Sequence, residues 1–429
     1  MSIFTGKSYA VVGLGRAGLP AARRLRTLGA EIVVWDDNPA SRDAAAAEGF
    51  EVVPPSQTSR AFTGLVLSPG IAHYLPQPHS EAAWARAQTI PILTDAELLY
   101  QAVRGLGSKA RFAGVTGTNG KSTTTALLAH ILTKAGIPNV AGANLGPAAL
   151  SLPILPDDGV YVLEMSSYML ERLATLRFDV AVMLNLSADH LDRHGDMQGY
   201  AAAKREIFAR QDSGCTSIIG MDDALSREMA AWLRTKPANL VEISGVGHET
   251  GAKALQGAHN AQNAQAAAAM ARALGVPETV ITEAIQDFPG LAHRAQEVAV
   301  RSGVRFINDS KATNADAASR AMSVYERFVW IAGGVAKAGG IEDLAPFFPR
   351  IEKAFLVGQD GLAFARRLSA ANIPNEYVET LERAVPAAFA SAKAGCGVVL
   401  FSPATASFDQ FPNFEVRGER FVALARGDS

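Results

Sequence analysis

Phosphate chemistry is written most plainly in Thr116-Gly117-Thr118-Asn119-Gly120-Lys121-Ser122-Thr123, which follows the apolar run RFAGV and precedes the helix-forming TTALLAHILTKAG. Between a strand and a helix, a glycine-rich loop turns backbone N–H groups toward phosphates. An ammonium such as Lys121 then suits the β/γ oxygens, and a hydroxyl such as Ser122 suits a phosphate-bound magnesium. The spacing departs from the usual GxxxxGKS or GxxxxGKT, because Val115 stands five residues before Gly120 and the nearer glycine is Gly117. The loop is a variant P-loop, and its plain structural alternative is a glycine turn with a solvated lysine.

Magnesium on a phosphate takes one or two carboxylates and several waters. Glu164 follows GVYVL, and Asp189-His190 follow DVAVMLNL. Ligands of open α/β sheets bind beyond the carboxyl ends of strands, so Lys121, Glu164 and His190 are expected to converge. The plain alternatives are an acid favoured at a helix N-terminus for Glu164 and a core or cap-adjacent histidine for His190. Lys204 is anomalous. A helix over 199–210 puts it on one face with Tyr200, Ile207 and Phe208, at i, i+4, i+7 and i+8. It is either a snorkelling lysine at the core edge or a lysine held beside the metal.

A second glycine loop, Gly13-Leu14-Gly15-Arg16-Ala17-Gly18, lies between the strand SYAVV and a helix, with Asp36 closing EIVVW about 20 residues on. Alone it reads as a dinucleotide fingerprint, and a nicotinamide dehydrogenase is its first reading. A simple strand-to-helix turn and a site for another nucleotide diphosphate on the helix N-terminus are the alternatives.

These loops need strands and helices to hold them. Short β-branched runs (SYAVVG, EIVVW, GVYVLE, DVAVML, VRFIND, RFVWIAGG, KAFLVG, GVVLFS) alternate with alanine-rich helical stretches, which predicts βαβ units and an α/β fold. At roughly 100–200 residues per domain, 429 residues allow two to four domains. Three are expected, with boundaries at 1–104, 105–291 and 292–429: a Rossmann-like N-terminal domain, a central P-loop-type domain with a parallel sheet, and a Rossmann-like C-terminal domain. A formal charge of -2 excludes a global basic field for nucleic acid or anionic membrane. No run of 18 apolar residues predicts a membrane span, and the first residues lack the pattern of a signal peptide. Cys215 and Cys396 stand far apart, which fits a reducing cytosol rather than a disulfide framework. A cytoplasmic monomer is expected.

Taken together, the motifs resemble the Mur ligase family, ATP-dependent amino-acid ligases of peptidoglycan precursor synthesis. The resemblance rests on Gly117-Thr118-Asn119-Gly120-Lys121-Ser122, Glu164-Met165-Ser166-Ser167, His259-Asn260-Ala261-Gln262-Asn263 and His293-Arg294. Asn308-Asp309-Ser310-Lys311-Ala312-Thr313-Asn314 and Ser402-Pro403-Ala404-Thr405-Ala406-Ser407-Phe408-Asp409-Gln410-Phe411 point to its D-glutamate-adding branch. The resemblance covers essentially the whole chain.

It implies that Gly117, Thr118, Asn119, Gly120, Lys121, Ser122 and Thr123 bind ATP, with Asn260, Asn263, Arg294, Asp309 and Lys311 around the nucleotide. Ser122 and Glu164 would hold a first magnesium, and His190 a second. Lys204 falls where the family has a carbamylated, metal-bridging lysine, so Lys121, His190 and Lys204 carry the catalytic expectation. Thr313, Lys337, Ser407 and Phe414 match the amino-acid pocket. Asn144, Gly15, Arg16, Ala17, Asp36, Asp37 and Ser68 match the site of the uridine-diphosphate substrate, which displaces NAD as the ligand of the first loop. Asp36 is expected near uracil or ribose.

The implied reaction is ATP-driven activation of the carboxylate of UDP-N-acetylmuramoyl-L-alanine as an acyl phosphate, followed by attack of the D-glutamate amine. Domain closure is expected to assemble the site. The dehydrogenase leaves the second loop unexplained, and a regulatory P-loop protein leaves the amino-acid motifs unexplained.

Overall fold

The strand β1 (Ser8–Val12), SYAVV, is buried along its whole length, as a parallel strand covered on both faces requires. The structure, a computed structural model, describes residues 3–337 and 339–427. With β2 (Glu31–Trp35), β3 (Glu51–Val52), β4 (Gly64–Leu67) and β5 (Ile92–Leu93), β1 forms an all-parallel sheet of order β3-β2-β1-β4-β5. The order reverses between β1 and β4, so the loops leaving these two strands open a crevice of the kind that takes ligands. Behind β1, the helix Gly18–Thr27 turns Ala21, Ala22 and Leu25 inward. A Cβ on Gly18 would fall 1.7 Å from the carbonyl oxygen of Gly13, so only glycine lets this helix start so close to the loop.

A second parallel sheet has the order β11-β10-β9-β6-β8-β7. Its strands are β6 (Arg111–Thr116), β7 (Asn139–Ala143), β8 (Val160–Glu164), β9 (Val180–Met183), β10 (Thr216–Gly220) and β11 (Asn239–Ile243). The core of β6 stacks Phe112 on Tyr161 of β8 at 4.8 Å. The helix Ala258–Ala273 follows this sheet in sequence; almost all of its residues from Ala261 to Ala271 are buried, and most are alanine.

The third sheet, of order β12-β13-β17-β14-β15-β16, is mixed. β13 (Val304–Asn308), β14 (Phe328–Gly333), β15 (Ile351–Val357), β16 (Asn375–Glu379) and β17 (Val398–Phe401) run parallel, while β12 (Gln296–Arg301) pairs antiparallel with β13. β12 is a half-exposed edge strand whose polar sequence, QEVAVR, carries little apolar signal.

By packing, the chain divides into two compact units. One comprises the chain up to Thr250 with Asn260–Phe288, and the other Gly251–His259 with the chain from Pro289 onward. The first unit contains two sheets and the second contains one.

Three local expectations shift. β2 ends at Trp35, so Asp36 stands just beyond it. β9 ends at Met183, and beyond it Asn185 and Ser187 bond the phosphate loop. The helix expected over 199–210 is Met197–Arg205, capped by Asp196, which accepts from the Gly199 N–H at 2.8 Å. Past it the chain tightens into three-residue turns, with Ile207 N–H donating to Lys204 C=O at 3.2 Å and Phe208 N–H to Arg205 C=O at 3.0 Å. Tyr200, Lys204, Ile207 and Phe208 are nevertheless all buried.

Candidate active site

At the end of β6, the phosphate loop is held from the next strand. Thr118 N–H donates to the Asn185 carbonyl at 2.9 Å, Asn119 N–H to Asn185 Oδ1 at 2.9 Å, and Ser187 N–H to Thr118 Oγ1 at 3.0 Å. Gly120 has a φ of +85°, and a Cβ there would lie 2.1 Å from Asn263 Oδ1. Asn263 Nδ2 in turn donates to Asn260 Oδ1 at 3.1 Å, and Thr124 Oγ1 donates to Asn263 Oδ1 at 3.4 Å. Asn260 and Asn263 are thereby brought to the start of the helix Lys121–Lys134, where Ser122 is buried and Thr123 half-buried. Lys121 Nζ folds over its own loop, donating to Gly117 C=O at 2.9 Å and Thr118 C=O at 2.8 Å.

Glu164, the last residue of β8, lies beside Val115 of β6 and Ala143 of β7. Its Oε1 accepts from Asn144 Nδ2 at 2.5 Å, while its Oε2 is buried with no hydrogen-bond partner. A buried carboxyl oxygen left so is costly, and next to a phosphate loop it is the hard oxygen donor that a magnesium ion takes. Among the described residues no three His, Cys, Asp or Glu side chains converge as a metal site, so a cation here would draw most of its ligands from phosphate and water.

Lys204 is 1% exposed; its Nζ donates to Gly117 C=O at 2.9 Å and Thr116 Oγ1 at 3.5 Å, and sits 4.6 Å from the Tyr200 ring centroid. Burial, and then the nearby charge of Lys121, hold its ammonium well below the usual lysine range. His190 adopts a left-handed conformation with φ of +54°. Its Nε2 lies 3.3 Å from Asp189 Oδ2, and its ring lies 5.0 Å from that of Tyr168.

The crevice between β1 and β4 opens into a cavity of about 540 Å³, lined by Gly15, Arg16, Ala17, Asp36, Asp37, Ser68 and Asn144 together with His79, Asp95 and Met169. All seven residues expected around the nucleotide substrate meet here. Asp36, however, turns its carboxylate into the protein: Oδ2 accepts from Leu14 N–H at 2.6 Å and Oδ1 from Asn38 N–H at 2.8 Å. It clamps the loop from the wall of the cavity.

In the second unit, Asp309, just past β13, accepts from Ser402 Oγ at 2.7 Å and Ala295 N–H at 3.1 Å. Burial pushes its carboxyl up to about 7, against these hydrogen bonds and the charges of Arg294 and Arg417. Lys311 Nζ lies over the Phe414 ring, 3.9 Å from its centroid. Lys337 lines a cavity of about 420 Å³ with Asp360 and Arg367. Neither Thr313 nor Ser407 lines it; Thr313 sits in a tight turn, its N–H donating to Lys311 C=O at 2.8 Å, and Ser407 is buried.

The pattern of the Mur ligase middle domain matches residues 115–255. The UDP-N-acetylmuramoylalanine--D-glutamate ligase of Caulobacter vibrioides strain NA1000 / CB15N is 47% identical, over 99% of this chain and 96% of that protein. The chain belongs to the Mur ligase family. A ligase of the same name from Phenylobacterium zucineum is 45% identical, over 99% of this chain and 97% of its own. Among solved structures, UDP-N-acetylmuramate-alanine ligase MurC from Thermotoga maritima aligns with a TM-score of 0.59 at 18% identity, covering 99% of this chain and 100% of that one. MurF from Acinetobacter baumannii aligns with a TM-score of 0.59 at 17% identity, covering 98% and 91%.

This member of the family uses residues that its motifs do not announce. Arg172 is buried and donates to the carbonyls of Leu67 at 2.7 Å, Ser68 at 3.1 Å and Ile71 at 2.6 Å. Arg193 adds bonds to the carbonyls of Gly70 at 2.9 Å and Ile71 at 3.1 Å. Two arginines from the half of the unit built on the second sheet thus fix a wall of the cavity between β1 and β4, and since their acceptors are backbone groups no residue type marks the pairing. Asn185 had a signal: an amide close behind β9, next to the expected convergence point. His79 had none.

Proposed function

We propose that this chain ligates D-glutamate to UDP-N-acetylmuramoyl-L-alanine at the expense of ATP, in cytoplasmic peptidoglycan precursor synthesis. The observation that carries the reading is Asn144. It lines the nucleotide cavity, and its amide holds Glu164 beside the phosphate loop, so a chain bound by its uridine diphosphate and a loop that grips ATP meet at one residue. The near-full-length identity to ligases of this name supports the same reading. No helix of the described residues is long and apolar enough to cross a membrane.

In this reading residues 1–104 hold the uridine diphosphate, 105–291 the ATP, and 292–429 the amino acid. The L-alanine carboxylate takes the γ-phosphoryl group of the co-substrate, becoming an acyl phosphate. The D-glutamate amine attacks its carbonyl, and inorganic phosphate leaves the tetrahedral intermediate. Lys121 neutralises charge on the transferring oxygens, while Asn185 holds the loop in shape through the Thr118 and Asn119 N–H groups and leaves its remaining N–H groups to orient the phosphates, so catalysis is positioning and electrostatics. Magnesium, when bound, screens the phosphate charge; Ser122 and Glu164 would hold one ion, and His190 with Lys204 a second. Thr313, Lys337, Ser407 and Phe414 receive the amino acid.

Phosphate release with UDP-N-acetylmuramoyl-L-alanine and ATP, set against D-glutamate, L-glutamate and other D-amino acids, tests the assignment. Release that requires D-glutamate is expected; release indifferent to the amino acid would overturn it.

A further inference from the structure

Glu164 and His190 each lead into a very short helix. The chain from Glu164 enters the helix Ser167–Leu170, and His190 takes the N-cap position of the helix Leu191–His194. Four residues cannot hold a helix by themselves, because nucleation costs more than one or two hydrogen bonds return. Nor does the sheet fix one turn against the other: β8 and β9 lie on either side of β6 and share no ladder. What relates the turns is the contact between them. The Tyr168 ring of the first lies 5.0 Å from the His190 ring and 5.5 Å from the His194 ring of the second, nearly parallel to His194 at 15°, with the Arg193 guanidinium 4.4 Å from its centre.

His194 makes the return contact. Its side chain is 1% exposed, with Nδ1 at 3.0 Å from Glu171 Oε1 and Nε2 at 2.9 Å from Ser167 Oγ. A carboxylate only accepts, so the proton of the neutral ring is assigned to Nδ1, and Nε2 accepts from the Ser167 hydroxyl. Ser167 opens the first turn and Glu171 follows its last residue, so one imidazole pins both ends of it. The same ring lies 5.3 Å from that of Tyr200, whose hydroxyl is 3.3 Å from Thr118 Oγ1 of the phosphate loop.

We propose that His194 is a positioning residue of this site, whose two hydrogen bonds hold Glu164 and His190 in one arrangement beside the phosphate loop. The inference rests on the reading of that site as the place of phosphoryl transfer. His194 meets no reacting atom in this reading; its effect passes through Ser167, Glu171 and Tyr168. Without the two bonds each turn keeps its sequence but loses the partner that sets its angle.

Steady-state phosphate release by the full chain, calorimetry with UDP and hydrogen exchange of the ligand-free protein test this together. His194→Phe keeps a ring and loses both hydrogen bonds. Its kcat should fall about tenfold to a hundredfold, the scale of an ångström of misplacement, while UDP affinity stays within about threefold of wild type. The Gly13 loop and the carbonyls gripped by Arg172 hold that cavity without His194. In the ligand-free variant the amides of Glu171 and Gly195, bonded to the carbonyls of Ser167 at 3.2 Å and Leu191 at 2.8 Å, should exchange faster than in wild type. His194→Gln offers one donor and one acceptor again, and should recover kcat to within about fivefold of wild type. If His194→Phe does not fold, Ser167→Ala removes one of the two bonds with little loss of volume and should lower kcat about threefold to tenfold. Wild-type kcat or exchange in the folded variants, a Gln variant no better than Phe, or UDP affinity lost in step with kcat overturns the role of His194. Wild type that releases no phosphate in response to D-glutamate overturns the reading of the site, and this role with it.

Discussion

Lys121 and Lys204 donate to one acceptor, the carbonyl of Gly117, each at 2.9 Å. Two ammonium groups on one oxygen repel, and Lys204 is the buried member, so it is the one driven toward the neutral amine. A neutral, buried amine is the form that adds carbon dioxide, and a carbamate formed there would be an anion able to approach a cation where an ammonium cannot.

Lys204→Arg keeps a permanent charge and cannot provide an equivalent carbamate. Turnover should fall on the order of 100-fold or more, the scale of losing one preorganised electrostatic contact, with UDP binding unchanged. Crystals of the wild-type protein should show density beyond Nζ. Turnover near wild type in the folded variant would leave Lys204 as a buried structural cation only.

Lys121→Ala removes the ammonium that lies over the phosphate loop. Phosphate release should disappear, while calorimetric binding of UDP-N-acetylmuramoyl-L-alanine without ATP stays as in wild type, because the two sites use different loops. Loss of both together would place Lys121 in the fold of the unit instead of in phosphate transfer.

Asp36→Ala strips acceptors from the N–H groups of Leu14 and Asn38 and should loosen the Gly13 loop. UDP affinity is expected to fall about fivefold or more, from about one to three kcal/mol of lost hydrogen bonding, with the KM for ATP unaltered. A matching rise in the KM for ATP would count against a local role.

Asp309 makes stability depend on pH. Its folded-state pKa, about 7, lies above the ordinary carboxylate value, so between about pH 4 and 7 the folded state binds more protons than the unfolded state. The sign is then negative: stability falls as pH rises through this window, by at most about 1.4 kcal/mol per unit. Asp309→Asn preserves partners for Ser402 and Ala295 and should flatten this slope in denaturant titrations at pH 4, 5.5 and 7. An unchanged slope would mean that Asp309 is ionised throughout.

Lys337→Ala should raise the KM for D-glutamate far more than that for ATP, as expected of an ammonium that meets a dianionic amino acid. Steady-state kinetics with each substrate varied in turn decides it; equal effects would move Lys337 out of the amino-acid pocket.

What the sequence determined by itself was local and periodic. The glycine loops, the strands that precede them and the anomaly of Lys204 follow from spacing along a few turns of chain, because a strand-to-helix phosphate loop is built from consecutive residues. The grouping of Gly15, Arg16, Ala17, Asp36, Asp37, Ser68 and Asn144 came from the family resemblance: strand ends of the first parallel sheet converge, but Asn144 follows β7 of the second. Only the tertiary structure decided the direction of side chains at those ends. Asp36 turns toward the Gly13 loop because two backbone N–H groups lie within reach. Asn144 and Glu164 meet because β7 and β8 are neighbours. Arg172 grips carbonyls about a hundred residues away, and β12 is a polar edge held by one ladder. Backbone N–H and C=O groups are the same at every residue, so a contact made to them leaves no mark in the sequence until the chain has folded.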